Sequence, residues 1–395
     1  MDDHDHRSIG NRLDLFHQQD DGPGVVFWHP RGMALYRVLE DYIRKRMRGL
    51  GYREVRSPQL LSRSLWDQSG HWPMFGPNMF AFADGAQTLA LKPMSCPGHI
   101  QIFNKRVRSH RDLPFRICEF GACHRHEPSG ALQGLMRTRA FTQDDAHVFC
   151  ERRQVIDEIV RFSALLKSVY ADFGFDRFEV RLSTRPASRA GRDDDWDWAE
   201  GTLADAARIA GLRPELQPGE GAFYGPKLEF SLGDSCGRRW QCGTVQVDTV
   251  LPERLDAHYV DARNEHVLPV LIHHAVFGSL ERFIAILLEH TGGQLPFWLA
   301  PDQITVAPVG AEHRGYAQRI ADALGAADLR VVVDDRPETL SRRVVESHEL
   351  GIPCFVTVGE REMAAESLAV RVRGGRTEVV TMVEAVRRFR SEARL

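Results

Sequence analysis

Apolar residues recur every three to four positions over residues 30–50, which is the spacing of one buried helix face. The members of this repeat are Met33, Leu35, Tyr36, Leu39, Tyr42, Ile43 and Met47. Gly51 follows, and glycine commonly ends a helix because it tolerates the left-handed backbone conformation. The pattern therefore predicts a helix over 30–50, followed by a short strand over 52–56 that ends before Pro58.

Residues 115–150 alternate as two strands joined by a polar loop near 128–130. Alternation places four residues of the second strand on one face: Phe141, Gln143, Asp145 and His147. Arg125 and Glu127 share a face of the first strand. Polar side chains of both signs on paired strands indicate a lined cleft, although most polar sheet faces are simply solvated.

Further along the chain, residues 152–173 have the pattern of an amphipathic helix. The acidic run 193–197 is typical of a solvated helix N-terminus without chemistry. Residues 219–246 are rich in glycine and predict strands with turns, and a strongly apolar helix is predicted from 278 to about 289. A Gly-Gly-Gln-Leu-Pro segment at 292–296 then indicates a domain boundary.

Beyond this boundary the spacing of hydrophobic residues alternates between that of strands and that of helices, as in a compact α/β unit. The predicted elements are a strand at 304–306, a helix at 312–324, a strand at 329–333, a helix at 338–350, strands at 354–358 and 367–372, and a helix at 382–390. The chain is thus predicted to form one domain over 1–295 and a second over 296–395.

The composition fits a soluble cytoplasmic protein. The hydrophobic fraction is 43%, and no apolar run is long enough to span a bilayer. The first residues are acidic and polar, unlike a secretory signal. The formal net charge of -3 means that any contact with nucleic acid requires a local basic patch.

The chain has seven cysteines and no CxxC motif, which favours a reducing compartment over a disulfide scaffold. Cys96, His147 and His273 would supply one thiolate and two imidazoles, which is an open zinc set with a fourth position for a substrate. Their spacing alone is weak evidence, since buried cysteines and histidines are more often structural. We expect His274 to point away from such a site.

Seven short motifs follow one another along the chain. They are Asp5-His6-Arg7, Lys92-Pro93-Met94-Ser95-Cys96-Pro97-Gly98-His99, Cys123-His124-Arg125-His126-Glu127-Pro128-Ser129-Gly130, Phe141-Thr142-Gln143-Asp144-Asp145-Ala146-His147, Gly219-Glu220-Gly221-Ala222-Phe223-Tyr224-Gly225-Pro226-Lys227, Trp240-Gln241-Cys242-Gly243-Thr244, and the Gly278–Phe283 helix start. Their content and order resemble those of the bacterial threonyl-tRNA synthetase family.

The resemblance implies an α+β fold: a class II antiparallel sheet flanked by helices over 1–295, then a small α/β anticodon-binding domain over 296–395. The segment Pro30–Pro58 resembles the first class II motif, which builds a homodimer interface. The strand–loop–strand around Arg125 resembles the second motif, and the helix carrying Arg282 resembles the third.

In the first step of the implied reaction, L-threonine and ATP, which is accompanied by Mg2+, form threonyl-adenylate and pyrophosphate. In the second step the threonyl group is transferred to tRNA(Thr). Arg125 would hold the α-phosphate and Arg282 the γ-phosphate, while Gln241 lines the adenylate pocket. Glu127 would accept from the adenine amino group, and Arg137 would contact the far phosphates.

The resemblance also implies that zinc on Cys96, His147 and His273 binds the amino group and hydroxyl of threonine, so that valine is rejected. Asp145 would accept from the hydroxyl. The other expected substrate-binding residues are Met94, Gln143, Tyr224, Lys227 and Gln246. Lys92, beside the zinc motif, is expected to form a salt bridge.

The match departs from the family in two places. The family usually carries N-terminal domains that include a seryl-tRNA editing domain, so we expect either a shortened chain or a natural editing-free form. In the second domain, Pro337 replaces a usual Asn, and the usual Arg near Gly351 is absent. Glu362 and Arg371 remain as candidate anticodon contacts, with Arg342, Arg343 and Arg373 as further candidates for phosphates.

These departures leave alternatives to a housekeeping threonine–tRNA ligase. One is an editing-free paralogue with a specialised role such as antibiotic immunity, and another is an enzyme that loads threonine onto a carrier protein. A catalytically dead amino-acid sensor is a third. Intact Arg125, Glu127 and Arg282 argue against the sensor, as do the zinc candidates.

Overall fold

The computed structural model describes residues 4–394. The helices in this part of the chain are α1 (His6–Arg12), α2 (Pro30–Gly49), α3 (Arg63–Ser69), α4 (His71–Phe75), α5 (Cys96–Asn104), α6 (Val155–Asp172), α7 (Asp193–Ile209), α8 (Val250–Arg254), α9 (Leu280–Thr291), α10 (Arg314–Gly325), α11 (Leu340–Glu349), α12 (Glu360–Ala364) and α13 (Met382–Glu392). Within residues 4–394, none of them combines the length and apolar character that a bilayer-spanning segment requires.

The strands vary from short edge pairings to long central strands. They are β1 (Phe16–His17), β2 (Phe27–Trp28), β3 (Arg53–Glu54), β4 (Leu60–Ser62), β5 (Ala81–Asp84), β6 (Gln87–Leu91), β7 (Arg108–Ser109), β8 (Phe115–His124), β9 (Ala140–Cys150), β10 (Glu179–Ser183), β11 (Glu215–Gln217), β12 (Lys227–Gly233), β13 (Arg239–Asp248), β14 (Tyr259–Val260), β15 (His266–Val267), β16 (Val270–Ala275), β17 (Ile304–Pro308), β18 (Val331–Val333), β19 (Cys354–Val358), β20 (Ser367–Val372) and β21 (Thr377–Thr381).

The described residues form two compact units. The larger comprises residues 18–26 and 40–286, and the smaller comprises residues 4–17, 27–39 and 287–394. The boundary at 295/296 stays a prediction.

An eight-stranded sheet in the order β11-β10-β12-β13-β16-β9-β8-β3 forms the centre of the larger unit. Its inner strands are antiparallel, and the long strands β8 and β9 pair along their whole length. Helices α6 and α7 pack on strands of this sheet and on each other. The ring of His274 on β16 faces α6, 4.6 Å from that of Phe162, so its neighbour His273 faces the opposite side of the sheet.

A hydrophobic core lies beside α5 in the larger unit. Phe103 of α5 stacks on Phe149 of β9 with ring centroids 4.1 Å apart. Ile100 and Leu271 are fully buried in the same cluster. Because Cys96 begins α5, this packing fixes the cysteine relative to the sheet.

The smaller unit contains a five-stranded sheet in the order β18-β17-β19-β20-β21. The strand β17 is parallel to β18 and β19, whereas β20 and β21 are antiparallel. Its core includes Val306, Ile320, Val356 and Phe389, contributed by strands and helices in turn. This is a mixed α/β unit, as the sequence predicts.

Most predicted elements are confirmed, including the long helix α2, the hairpin β8–β9 and all seven elements of the second domain. The prediction that Arg125 and Glu127 share a face of the first strand is wrong, because β8 ends at His124 and both residues follow it. The strand predicted at 52–56 covers only Arg53–Glu54. The acidic run does begin a helix, but the prediction that it is merely solvated is wrong for Asp195, which is buried and paired with Arg152 and Arg192. The short helix α12 and the strand β21 were not predicted.

Candidate active site

A cavity of about 630 Å³ opens on the sheet of the larger unit. The predicted catalytic, ATP-binding, substrate-binding and metal-binding residues that line it are Met94, Cys96, Arg125, Glu127, Arg137, Gln143, Asp145, Tyr224, Lys227, Gln241, Gln246, His273 and Arg282. The remaining metal candidate, His147, lies behind His273 and is fully buried. The structure thus brings these residues together, while the role of each stays a prediction.

We call one part of the cavity the metal end, comprising Cys96, His147 and His273. His147 of β9 lies directly opposite His273 of β16 in the antiparallel register. Cys96 approaches from the first turn of α5. The ligand atoms of the three residues lie within 4.8 Å of one another, which is close enough for one metal ion.

With neutral rings at His99, His147 and His273, the hydrogen bonds around the two metal candidates select one tautomer of each. His273 donates from Nε2–H to Oδ2 of Asp248 at 2.8 Å, so its Nδ1 carries a lone pair. His99 donates from Nε2–H to Glu119 at 2.9 Å, and its Nδ1 accepts from Nδ1–H of His147 at 2.8 Å. The Nε2 atom of His147 therefore also carries a lone pair.

These two lone pairs face each other at 2.9 Å. Two acceptors at this distance repel unless a cation lies between them. Zn–N bonds of about 2.0–2.1 Å in a tetrahedral arrangement separate two nitrogens by roughly 3.3 Å, which is only a small adjustment. Burial holds the pKa of His147 well below its usual range and raises that of the Cys96 thiol, so a cation is what would favour the thiolate. The residues therefore fit a zinc ion.

We call another part of the cavity lining the arginine end, comprising Arg125, Arg137 and Arg282. Arg282 donates to the backbone carbonyls of Met136 and Gln241 at 2.9 and 2.7 Å. Burial lowers the pKa of Arg282, and the charges of the other two arginines lower it further. Like charges held together in this way favour an anionic ligand.

Arg125 is fixed by different neighbours. Its Nε donates to the carbonyl of Pro93 at 3.2 Å, and its guanidinium lies 5.1 Å from the ring centroid of Phe141. The motif Lys92–His99 and strand β9 therefore both position this arginine. These two neighbours do not offset the charge of the guanidinium, since a carbonyl and a ring face carry no formal charge.

Further side chains that line the cavity present unused hydrogen-bonding atoms. Within the described part of the chain, the Oε1 atom of Gln143 and the Oγ1 atom of Thr244 are buried without a partner. Asp145 is also buried, which raises the pKa of its carboxyl group. Tyr224 donates to Gln246 at 3.0 Å. Buried unsatisfied acceptors of this kind are expected where a polar ligand binds.

Two predicted residues near the cavity have clear partners in the protein. Lys227 pairs with Glu229 at 2.5 Å. Lys92 forms a buried salt bridge with Glu119 at 2.7 Å, as predicted, and is not a cavity residue.

Sequence reasoning missed two residues that position the arginine end. Asp144 accepts from the backbone amides of Val276, Phe277 and Gly278 at 2.8–2.9 Å, which ties β9 to the segment before α9. Gly278 has a φ of +76°, and a Cβ atom there would lie 2.5 Å from the carbonyl oxygen of Cys242. The alternation of β9 places Asp144 on the face opposite Asp145, and that was the available signal.

The structure does not bring the two anticodon candidates side by side. The carboxylate of Glu362 accepts from the amide of Gly359, which follows the last residue of β19. The exposed Arg371 of β20 pairs with Phe355, near the first residue of β19. The proposal that Arg343 is available for phosphates is wrong, because it is buried and donates to the carbonyls of Asp334 and Pro308.

Comparison with known proteins gives the same two-part organisation. A family model described as the tRNA synthetase class II core domain (G, H, P, S and T) matches residues 80–291. A second model, described as an anticodon binding domain, matches residues 303–392.

Individual relatives cover nearly the whole chain. A threonine–tRNA ligase of Caulobacter vibrioides is 53% identical over 392 residues, and one of Gluconobacter oxydans is 50% identical over the same length. These alignments cover 98% of this chain but only 60% and 61% of those two relatives. The structure titled as the RNA binding domain of threonyl-tRNA synthetase from Cryptosporidium parvum superimposes with a TM-score of 0.95 at 38% identity, covering 98% of both chains. The chain belongs to the threonyl-tRNA synthetase family of class II aminoacyl-tRNA synthetases.

Proposed function

We propose that this chain activates L-threonine with ATP and transfers the threonyl group to tRNA(Thr). The observation that carries the proposal is a single cavity lined by three arginines and by Cys96 and His273, with His147 directly behind them. The cysteine and the two histidines fit a metal that recognises an amino alcohol, and the arginines fit a triphosphate. The family relationship supports the same reaction.

At the arginine end, the reaction displaces pyrophosphate from the α-phosphate of ATP by attack of the threonine carboxylate. Arg125 binds the α-phosphate and Arg282 the γ-phosphate, and both guanidiniums offset the charge that develops on the phosphoryl oxygens. Arg137 contacts the outer phosphates, Glu127 accepts from the adenine amino group, and Gln241 lines the adenylate pocket. Mg2+ enters with ATP as part of the substrate.

At the metal end, Cys96, His147 and His273 would hold a zinc ion, and that ion would supply a Lewis-acidic centre for recognition of the amino group and hydroxyl of threonine. Asp145 accepts from the threonine hydroxyl, and Gln143 offers its unpartnered oxygen to the ammonium or the adenylate. Met94, Tyr224, Lys227 and Gln246 shape the rest of the pocket. Valine is rejected because it leaves these polar groups without a partner.

The finer features of the family are part of the same proposal. We place the catalytic domain at 1–295 and the anticodon-binding domain at 296–395, and we propose a cytoplasmic homodimer that uses Pro30–Pro58 as its interface. The chain spans about 60% of the length of the curated relatives, so its activity and partners have to be measured on this chain itself.

Altered anticodon reading is a further part of the proposal. Pro337 lacks both a side-chain amide and a backbone N–H, so one base-edge hydrogen bond of the family cannot form there. Glu362 and Arg371 are the remaining candidates. Charging of tRNA(Thr) transcripts with substituted anticodon bases is expected to be less selective than in a relative that carries Asn. Equal discrimination by the two enzymes would contradict this idea.

ATP–pyrophosphate exchange with purified protein tests activation directly. Threonine is expected to support exchange, and valine is not. Aminoacylation of tRNA(Thr), run beside acyl transfer to a carrier protein, then decides where the threonyl group goes. An exposed-site variant, Asp205→Asn on α7, is the control for folding. The absence of threonine-dependent exchange would overturn the proposed activity.

A further inference from the structure

We propose that His99 is a positioning residue for zinc: together with Glu119 it orients the ring of His147 so that its Nε2 lone pair faces the metal. The inference rests on the proposed zinc use and goes beyond the three ligands. It predicts that a residue without contact to zinc or threonine sets the affinity for the metal.

The chain of contacts is buried and continuous. His99 lies between His147 and Glu119, bonded to them at 2.8 and 2.9 Å. Glu119 also accepts from Lys92 at 2.7 Å and from Ser57 at 2.7 Å. His99 is 0% exposed, Lys92 1% and Glu119 4%, so water does not compete for these bonds.

The donor and acceptor roles in this series of hydrogen bonds fix the tautomer of His147. Glu119 is an acceptor, which forces the proton of His99 onto Nε2 and leaves Nδ1 as an acceptor for His147. His147 must then place its own proton on Nδ1, away from the metal end. Without His99, both the tautomer and the ring angle of His147 would be free to change.

The other histidine ligand is held differently. His273 donates directly to Asp248, whose other oxygen accepts from the amides of Val250 and Leu251 at 2.7 and 2.9 Å. Asp248 therefore brings a negative charge next to a ligand. On the His147 side, Lys92 balances Glu119, and the imidazole of His99 separates that pair from the ligand. His99 consequently acts through orientation more than through charge.

Zinc affinity, measured on the full chain by competition with a chromophoric chelator, tests this role. His99→Phe keeps a ring but cannot bridge, and we expect it to weaken zinc binding about 10- to 100-fold. His99→Gln can still donate to Glu119 and accept from His147, so it is expected to fall between His99→Phe and the wild type. His274→Phe is the matched control, because it removes a buried histidine of β16 that contacts Tyr52 and Phe162.

A second readout separates orientation from general damage. Cobalt substituted for zinc has absorption bands that report the geometry of its ligands, and these bands are expected to change in His99→Phe but not in His274→Phe. Circular dichroism establishes which variants are folded. If His99→Phe does not fold, the comparison of His99→Gln and Glu119→Gln with the wild type carries the test.

The outcomes separate the two proposals. A wild-type protein that binds no zinc overturns the proposed metal use, whatever the variants do. A wild type that binds zinc, together with folded His99 and Glu119 variants of unchanged affinity and unchanged cobalt spectra, overturns the role of His99 alone. Weaker binding in the order wild type, His99→Gln, His99→Phe supports it.

Discussion

The metal end and the arginine end of the cavity are built in different ways. At the metal end, side chains hold side chains: His147 is fixed by His99, and His273 by Asp248, each at 2.8 Å. At the arginine end, backbone carbonyls of Pro93, Met136 and Gln241 hold the guanidiniums of Arg125 and Arg282 and add no formal counter-charge of their own. The first arrangement selects by directed coordination, and the second attracts anions by charge.

This difference predicts that substitutions at the two ends change different properties of the enzyme, namely its selectivity and its rate. Damage at the metal end should remove the distinction between threonine and valine, because that distinction depends on one hydroxyl. Damage at the arginine end should slow the reaction of every amino acid that is activated, because all of them react at the same phosphorus.

The largest effect is expected for Cys96→Ala. Loss of the thiolate leaves two imidazoles, so bound zinc should fall well below one per chain by elemental analysis. The preference for threonine over valine in pyrophosphate exchange, on the order of 10⁴-fold for sites of this kind, should largely disappear. Cys118→Ala, a cysteine of β8 outside the cavity, is the control. A Cys96→Ala protein with full zinc content and intact selectivity would contradict the account of the metal end.

Arg125→Gln tests the arginine end separately from the metal end. Removing one charged donor to the reacting phosphate is expected to lower kcat of threonine activation by about 10²–10³. Zinc content and the threonine-to-valine ratio should stay as in the wild type, since Arg125 bonds to Pro93 and Phe141 and not to the metal ligands. A change in selectivity that matched the loss in rate would show that the two ends are not separable.

The next effect concerns stability and pH. Burial by itself would raise the pKa of Glu119, but hydrogen bonds from His99, Lys92 and Ser57 together lower it to about 2, against 4.5 for the ordinary side chain. A depressed carboxyl pKa stabilises the folded state above the unfolded pKa, and the contribution is lost as pH falls from 4.5 toward 2. The ionised Glu119 carboxylate contributes about 3 kcal/mol to the free energy of unfolding above this pH range.

Urea unfolding of the zinc-free protein across this pH range checks the sign. The gap in unfolding free energy between the wild type and Glu119→Gln should be constant above about pH 5 and should shrink by about 3 kcal/mol toward pH 2. Glu378→Gln, at an exposed surface pair, should run parallel to the wild type. If the gap for Glu119→Gln did not change with pH, the buried carboxylate could not carry this charge.

The sequence predicts the residues of both ends in the same way, through motif resemblance. Motif resemblance identifies Arg125, Glu127 and the three metal candidates, and the structure brings all of them to one site. Adjacency in the sequence was enough to predict that His274 points away from His273, and the structure places the two on opposite faces of β16. Local periodicity and motif order carry this information because both are properties of contiguous residues.

Partners that are distant in sequence could not be predicted in the same way. Glu119 lies 20 residues from His99, and Asp144 lies more than 130 residues from the amides that it accepts from. Their pairing follows from strand register and helix packing. The same limit explains Arg343, which reads as a surface charge in the sequence but is buried against the carbonyl of Pro308.

The smallest effect is expected for serine, and it tests how far selection at the metal end extends. Serine keeps the amino group and the hydroxyl, so every polar contact proposed for Asp145 and the zinc ligands can form. Only one methyl group is missing, which is worth about 1–3 kcal/mol, or roughly 10- to 200-fold in kcat/KM. We therefore expect measurable serine-dependent pyrophosphate exchange, with valine far below it. Serine exchange at the level of valine would mean that shape, and not coordination of the hydroxyl, governs selection, and the contrast between the two ends would have to be redrawn.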